Sequence, residues 1–175
     1  LAVLFTFFID SFSWAIVFPV FAPLFLKPAN ALFTTNYTTS QRTAVLGFFL
    51  AIFPLGQFIG APLIGEFADR KGRKTAFLYT IFATFLGLII SAYSIDYHLL
   101  WLLFFSRLLT GLCSGNLSIC LASITDMSKS GSKRVRYFGY LAFSAGLSFI
   151  VGAFLGGKLS DPSVDKHFSA SLPFW

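Results

Sequence analysis

Charged side chains are scarce in this sequence. They make up 11% of its 175 residues, where a soluble domain carries about a quarter. A water-facing surface of ordinary composition is thereby excluded. Cysteine is limited to Cys113 and Cys120, which share one apolar run. As helix, their spacing is a rise of about 10 Å, too far for a disulfide. No metal-ligand spacing exists either, and the pair reads as small apolar helix residues. Histidine is limited to His98 and His167, with no Ser or Cys partner at a suggestive spacing. No phosphate-binding loop occurs, which argues against ATP-driven work. Enzymatic chemistry, a metal site and a bound cofactor are therefore not expected. Acid is scarcer than base, seven residues against 13, for a net charge of +6. The bases sit in short loops between apolar runs, which excludes a basic nucleic-acid-binding face.

What the sequence has instead is apolar length. Hydrophobic residues reach 56%, aromatics 19%, and phenylalanine alone occurs 24 times; mean hydropathy is +0.77. A lipid solvent removes the need to hide so much apolar surface. A membrane span needs about 20 such residues. Five runs qualify, at about 1–26, 44–64, 75–93, 99–124 and 137–159, and a sixth opens near 172. Isolated strands cannot satisfy their backbone in hydrocarbon, and the runs lack the alternation of barrel strands. The predicted fold is an all-α membrane bundle of five helices and the start of a sixth, forming one domain. Pro19, Pro23, Pro54 and Pro62 lie in or at the ends of the first two runs, where packed membrane helices tolerate them. The first run holds Asp10 and lacks a small-residue cleavage site, which argues against a signal peptide. The chain opens on Leu1 and closes at Trp175 as a new apolar stretch starts; it reads as a fragment.

Basic residues fix an expected orientation. Arg70, Lys71, Arg73 and Lys74 follow the second run, and Lys129, Lys133, Arg134 and Arg136 follow the fourth. The positive-inside rule puts these loops and the N-terminus in the cytoplasm. The loop 27–42 then lies outside. It carries the sequon Asn36-Tyr37-Thr38, a short and common match that matters only on a eukaryotic secretory route.

Four constellations stand out. Gly65-Glu66-Phe67-Ala68-Asp69-Arg70-Lys71-Gly72-Arg73-Lys74 leaves the second span. Gly65 permits close helix approach and Gly72 a sharp turn, while Asp69 suits helix amides or a neighbouring Arg. A solvated basic loop explains the Lys and Arg, but not the glycines and the acid at these offsets. Arg107 lies about a third of the way into the fourth span, where a charge costs about 2.5–3.5 kcal/mol on insertion scales. It must face the bundle interior or snorkel outward. Gly111 and Gly115 behind it form a small-residue face for helix contact. Asp10 sits about a third of the way from the cytoplasmic end of the first span. A lone carboxylate there is expensive while charged, which suits a group that takes up and releases a proton. A structural carboxylate bonding neighbouring helix groups is the alternative. Gly152, Gly156 and Gly157 mark the fifth span, and Asp126 ends the fourth ahead of Arg134.

These patterns resemble the N-terminal half of major facilitator superfamily transporters, over about residues 10–161. The loop Gly-x-x-x-Asp-Arg/Lys-x-Gly-Arg-Arg/Lys of that family is matched by Gly65, Asp69, Arg70, Gly72, Arg73 and Lys74. The resemblance implies a cytoplasmic gate there, latching the two halves when the protein opens outward. Gly56-Gln57-Phe58-Ile59-Gly60-Ala61-Pro62-Leu63 resembles the drug-efflux branch. Arg107 and Gly111 resemble the family's Arg-x-x-x-Gly motif, implicated in proton coupling. Asp10 resembles the first-helix Asp of tetracycline-type and multidrug antiporters, although Pro19-Val20-Phe21-Ala22-Pro23 is one residue longer than the usual Pro-Val-x-Pro. Gly152, Gly156 and Gly157 resemble the antiporter pattern Gly-Pro-x-x-Gly-Gly. Ala153 replaces its proline and Ser148 an upstream glycine, which weakens antiport but not the family. Asp126 and Arg134 resemble a cytoplasmic Asp–Arg link.

The resemblance implies a secondary transporter of a plasma or inner membrane that works by alternating access. Proton-coupled export of a drug or amphiphilic metabolite is the expectation, with Asp10 and Arg107 as coupling residues. The implied partners are a small-molecule substrate, the lipid bilayer and the C-terminal half of the same transporter. Two alternatives stay open: uptake or exchange of a sugar, organic anion or other nutrient, and a non-transporting scaffold or truncated remnant.

Overall fold

The computed structural model describes residues 2–26, 38–128 and 131–159. They form six helices: α1 (Ala2–Leu26), α2 (Thr39–Lys71), α3 (Arg73–Asp96), α4 (Leu100–Leu112), α5 (Asn116–Met127) and α6 (Gly131–Leu159). With α4 and α5 taken together, five segments are long and apolar enough to cross a membrane. The sequon at Asn36 and the stretch from 172 lie outside the described residues.

The helices run past the apolar runs that announce them, because polar chemistry extends their ends. At the start of α2, Thr38 Oγ1 accepts from the Gln41 amide, and Gln41 Oε1 accepts from the Thr38 amide at 3.0 Å. This reciprocal cap satisfies two otherwise orphaned donors. It starts the helix five residues before the predicted edge at 44. At 33 residues, α2 is about 50 Å long, well over the ~30 Å of a hydrocarbon core. Its ends therefore stand in the polar layers. Gly72 alone joins α2 to α3, at φ +90°, a conformation that side chains other than glycine rarely adopt.

The fourth span corrects the expectation of one unbroken helix over 99–124. It breaks at Cys113–Gly115. The last turn of α4 tightens, with the Ser114 amide donating to the Gly111 carbonyl at 3.0 Å. Gln57 Nε2 of α2 donates to the freed Ser114 carbonyl at 3.1 Å. Non-helical backbone persists at membrane depth only when protein groups satisfy it in this way.

Two interfaces dominate, α1 on α6 and α2 on α4, and both are built on glycine pairs four residues apart. Gly152 and Gly156 of α6 lie on the backbone of Phe12 and Ile16 in α1; Gly56 and Gly60 of α2 lie on that of Leu108 and Leu112 in α4. Small residues allow this approach where lipid supplies no hydrophobic drive between helices. Apolar clusters fill both ends of the bundle, Phe21, Phe25, Phe49 and Leu103 at one and Phe7, Cys120, Ile124 and Leu141 at the other. The outward faces are apolar as well: Phe58 is 82% exposed and Trp101 90%. Such faces belong in lipid, and Trp101 at the start of α4 suits an interfacial belt.

Candidate functional site

Between the two dominant interfaces lies a cavity of about 300 Å³. Its polar lining comes from α1 to α5. α1 supplies Asp10 and Trp14, α2 Gln57, α3 Thr84, α4 Arg107 and α5 Asn116; Phe149 of α6 closes one wall. The cavity thus joins Asp10 and Arg107, the two charges that sequence reasoning placed inside spans.

Arg107 is 4% exposed. Its Nη2 donates to Ser91 Oγ of α3 at 3.1 Å, and its guanidinium lies 4.8 Å from the centre of the Phe21 ring. Ser91 and Ser106 hydroxyls meet at 2.7 Å beside it. Among the described residues no carboxylate lies within ion-pairing distance of it. It is a cation held by hydroxyls and an aromatic face, facing the bundle rather than snorkelling outward.

Four buried polar side-chain atoms among the described residues have no hydrogen-bond partner: Trp14 Nε1, Arg107 Nε, Asn116 Nδ2 and Ser128 Oγ. The first three belong to residues lining the cavity, and all three are donors. Buried polar atoms are nearly always paired in native proteins, so this grouping marks the cavity as a place where protein alone does not complete the bonding. Gln57 and Asn116 were not singled out from sequence. The signal was there, since an amide inside an apolar run is costly unless bonded. Among the described residues no cluster of His, Cys, Asp and Glu is placed to hold a metal ion.

The other predicted group gathers at the end of the bundle marked by Gly72. Arg73 Nε donates to Asp126 Oδ2 at 2.6 Å, and its Nη2 lies 3.8 Å from Asp69 Oδ1. Arg70 pairs with Glu66 at 2.7 Å. One guanidinium thus ties α2, α3 and α5 together. The expected Asp126–Arg134 link is replaced: Asp126 turns to Arg73, across the α3–α5 contact, and Arg134 stands exposed on the first turn of α6. Lys74 is exposed too. A Cβ at Gly65 would stand in open space, so the close approach expected there has no partner among the described residues. A Cβ at Gly157 would also stand in open space, whereas Gly111 and Gly115 are pressed against Phe53 and Ile64 of α2.

A bundle of apolar spans around a polar, charge-bearing cavity is the architecture of a polytopic membrane transporter. The sequence profile of the Major Facilitator Superfamily matches residues 3–172, and the chain belongs to that family. It is 32% identical over 128 residues to the class H tetracycline resistance protein of Pasteurella multocida, covering 73% of this chain and 30% of that protein. It is 36% identical over 122 residues to the class B protein of Escherichia coli (70% and 29%), and 28% identical over 165 residues to the class G protein of Vibrio anguillarum (93% and 38%). The chain therefore spans less than two-fifths of the length of these relatives. No solved structure matches it. The protein is an integral, multi-pass membrane protein of a transporter family, not of an enzyme family.

Proposed function

We propose that the protein carrying this chain exports a drug or amphiphilic metabolite by alternating access, driven by a proton gradient. Tetracycline is the first compound to test, since the relatives are tetracycline resistance proteins. One observation supports this reading above others: Asp10 and the unpaired cation Arg107 share one cavity. A carboxylate there takes a proton from one side of the membrane and gives it to the other, while the fixed cation favours return to the charged form. The cavity is completed by a C-terminal half of the same transporter, which also meets the open face at Gly65. The Asp69–Arg73–Asp126 cluster stands at the cytoplasmic end of a plasma or inner membrane protein, with the N-terminus cytoplasmic, and closes that side when the cavity opens outward.

The test uses the whole protein in everted membrane vesicles with an imposed proton gradient. The expected result is gradient-driven accumulation of tetracycline or of a cationic dye, abolished by a protonophore. Accumulation of sugars or organic acids instead would replace export of amphiphiles with the nutrient reading. No movement of any compound by inserted protein would leave the scaffold reading.

A further inference from the structure

Asn116 opens α5 directly after the break in the fourth span, and only 2% of its surface is exposed. Its Oδ1 accepts from the hydroxyl of Thr80 on α3, which is buried as well. With the oxygen committed to α3, the NH₂ side of the amide is left, and it has no partner of ordinary geometry. The acceptor within its reach is the Asp10 side chain on α1, which lines the same cavity. Thr80 and Asn116 thus tie α3 to α5, and Asp10 of α1 lines the same cavity as the unpartnered end of the amide. The other titratable or charged groups around Asp10 are Cys120 of α5 and Arg107 of α4; α2, α3 and α6 face the cavity with Gln57, Thr84 and Phe149, all uncharged.

We infer that Asn116 is the positioning residue for Asp10, and that it passes the protonation state of Asp10 from α1 to α5 and α3. The inference rests on the proton-coupled reading above. The NH₂ side of an amide only donates. It forms a charge-assisted bond with the ionised carboxylate, roughly twice as strong as a neutral one. When a proton from the aqueous side settles on Asp10, the charge assistance ends and α1 loses its tie to α5. When the proton leaves, the tie re-forms. The break at Cys113–Gly115 lets α5 respond as a separate segment, and Thr80 holds the amide against α3. For packing alone, a leucine at 116 would serve without a buried amide.

The test is a double-mutant cycle on the whole protein, read as gradient-driven tetracycline accumulation in everted vesicles, normalised to inserted protein. Asn116→Leu and Thr80→Val are each combined with Asp10→Asn. In the Asp10 background, each lowers accumulation, Asn116→Leu by about tenfold, within the 5–150-fold usual for coupling between sites. In the Asp10→Asn background gradient-driven accumulation is lost, so exchange of labelled tetracycline without a gradient is read instead; neither substitution lowers it, because both act through the same carboxylate. A second readout is the infrared carboxylate stretching band of ionised Asp10, assigned by its loss in Asp10→Asn, which shifts in Asn116→Leu. Exchange that Asn116→Leu or Thr80→Val lowers in the Asp10→Asn background, with the band unmoved, would overturn the inference and leave Asn116 a packing or substrate-contact residue. Thr80→Val removes one hydroxyl at constant shape, so it decides the matter if Asn116→Leu fails to insert. An inactive parent protein would instead sink the export reading itself, a distinct outcome.

Discussion

Gly156 of α6 lies so close to Ile16 of α1 that a Cβ at position 156 would meet the Ile16 carbonyl. The contact sets the distance between the first and fifth spans, and Gly152 against Phe12 and Ala15 repeats it one turn earlier. Gly156→Val should therefore lose at least the ~1–3 kcal/mol typical of overpacking, seen as a lower melting temperature in detergent and less inserted protein. Gly157→Ala, one residue on and open at its Cβ, should leave both unchanged. Equal tolerance at the two positions would show that the α1–α6 contact is not set by glycine.

Gln57 completes the bonding of the break in the fourth span through the Ser114 carbonyl. Gln57→Leu leaves that carbonyl unsatisfied, at a cost of about 1–3 kcal/mol. Thermal unfolding of the purified protein should register the loss. An unchanged melting curve would mean that another group or water takes over the carbonyl.

Arg73 holds two acids from two other helices. These pairs are partly exposed, and such pairs contribute about 0–1 kcal/mol to stability. Arg73→Gln should therefore barely change the melting temperature, yet slow transport severalfold by loosening one end of the cavity. A large drop in stability with normal turnover would make the cluster a structural clamp and not a gate.

Arg107 is held on two sides by geometry that an ammonium cannot copy, a hydroxyl at Nη2 and the face of Phe21. Arg107→Lys keeps the charge but loses the planar contact. Gradient-driven accumulation should fall about tenfold, within the range of coupling energies. Full activity in the lysine variant would reduce the requirement to charge alone.

The spans and the two intramembrane charges were legible in the sequence because both are violations of soluble composition: long apolar runs, and Asp10 and Arg107 inside them. The helix ends were not, since hydropathy stops where the runs stop, while Thr38 and Gln41 carry α2 on by capping. The break at Cys113–Gly115 was hidden for a related reason. Glycine and serine are ordinary in membrane helices, and only the reach of Gln57 from another span shows that the turn is open. Arg134 drew attention as the partner of Asp126 because it is near in sequence. Arg73 takes that place because α3 packs beside α5. Asn116 stayed unread because its meaning depends on Thr80 and Asp10, which lie on two other helices.

The central claim is that proton coupling runs through Asp10. Proton release from everted vesicles on adding tetracycline, compared among the parent protein, Asp10→Glu and Asp10→Asn, tests it most directly. Release is expected from the parent, partial release from Asp10→Glu, and none from Asp10→Asn at equal levels of inserted protein. Undiminished release from Asp10→Asn would contradict it.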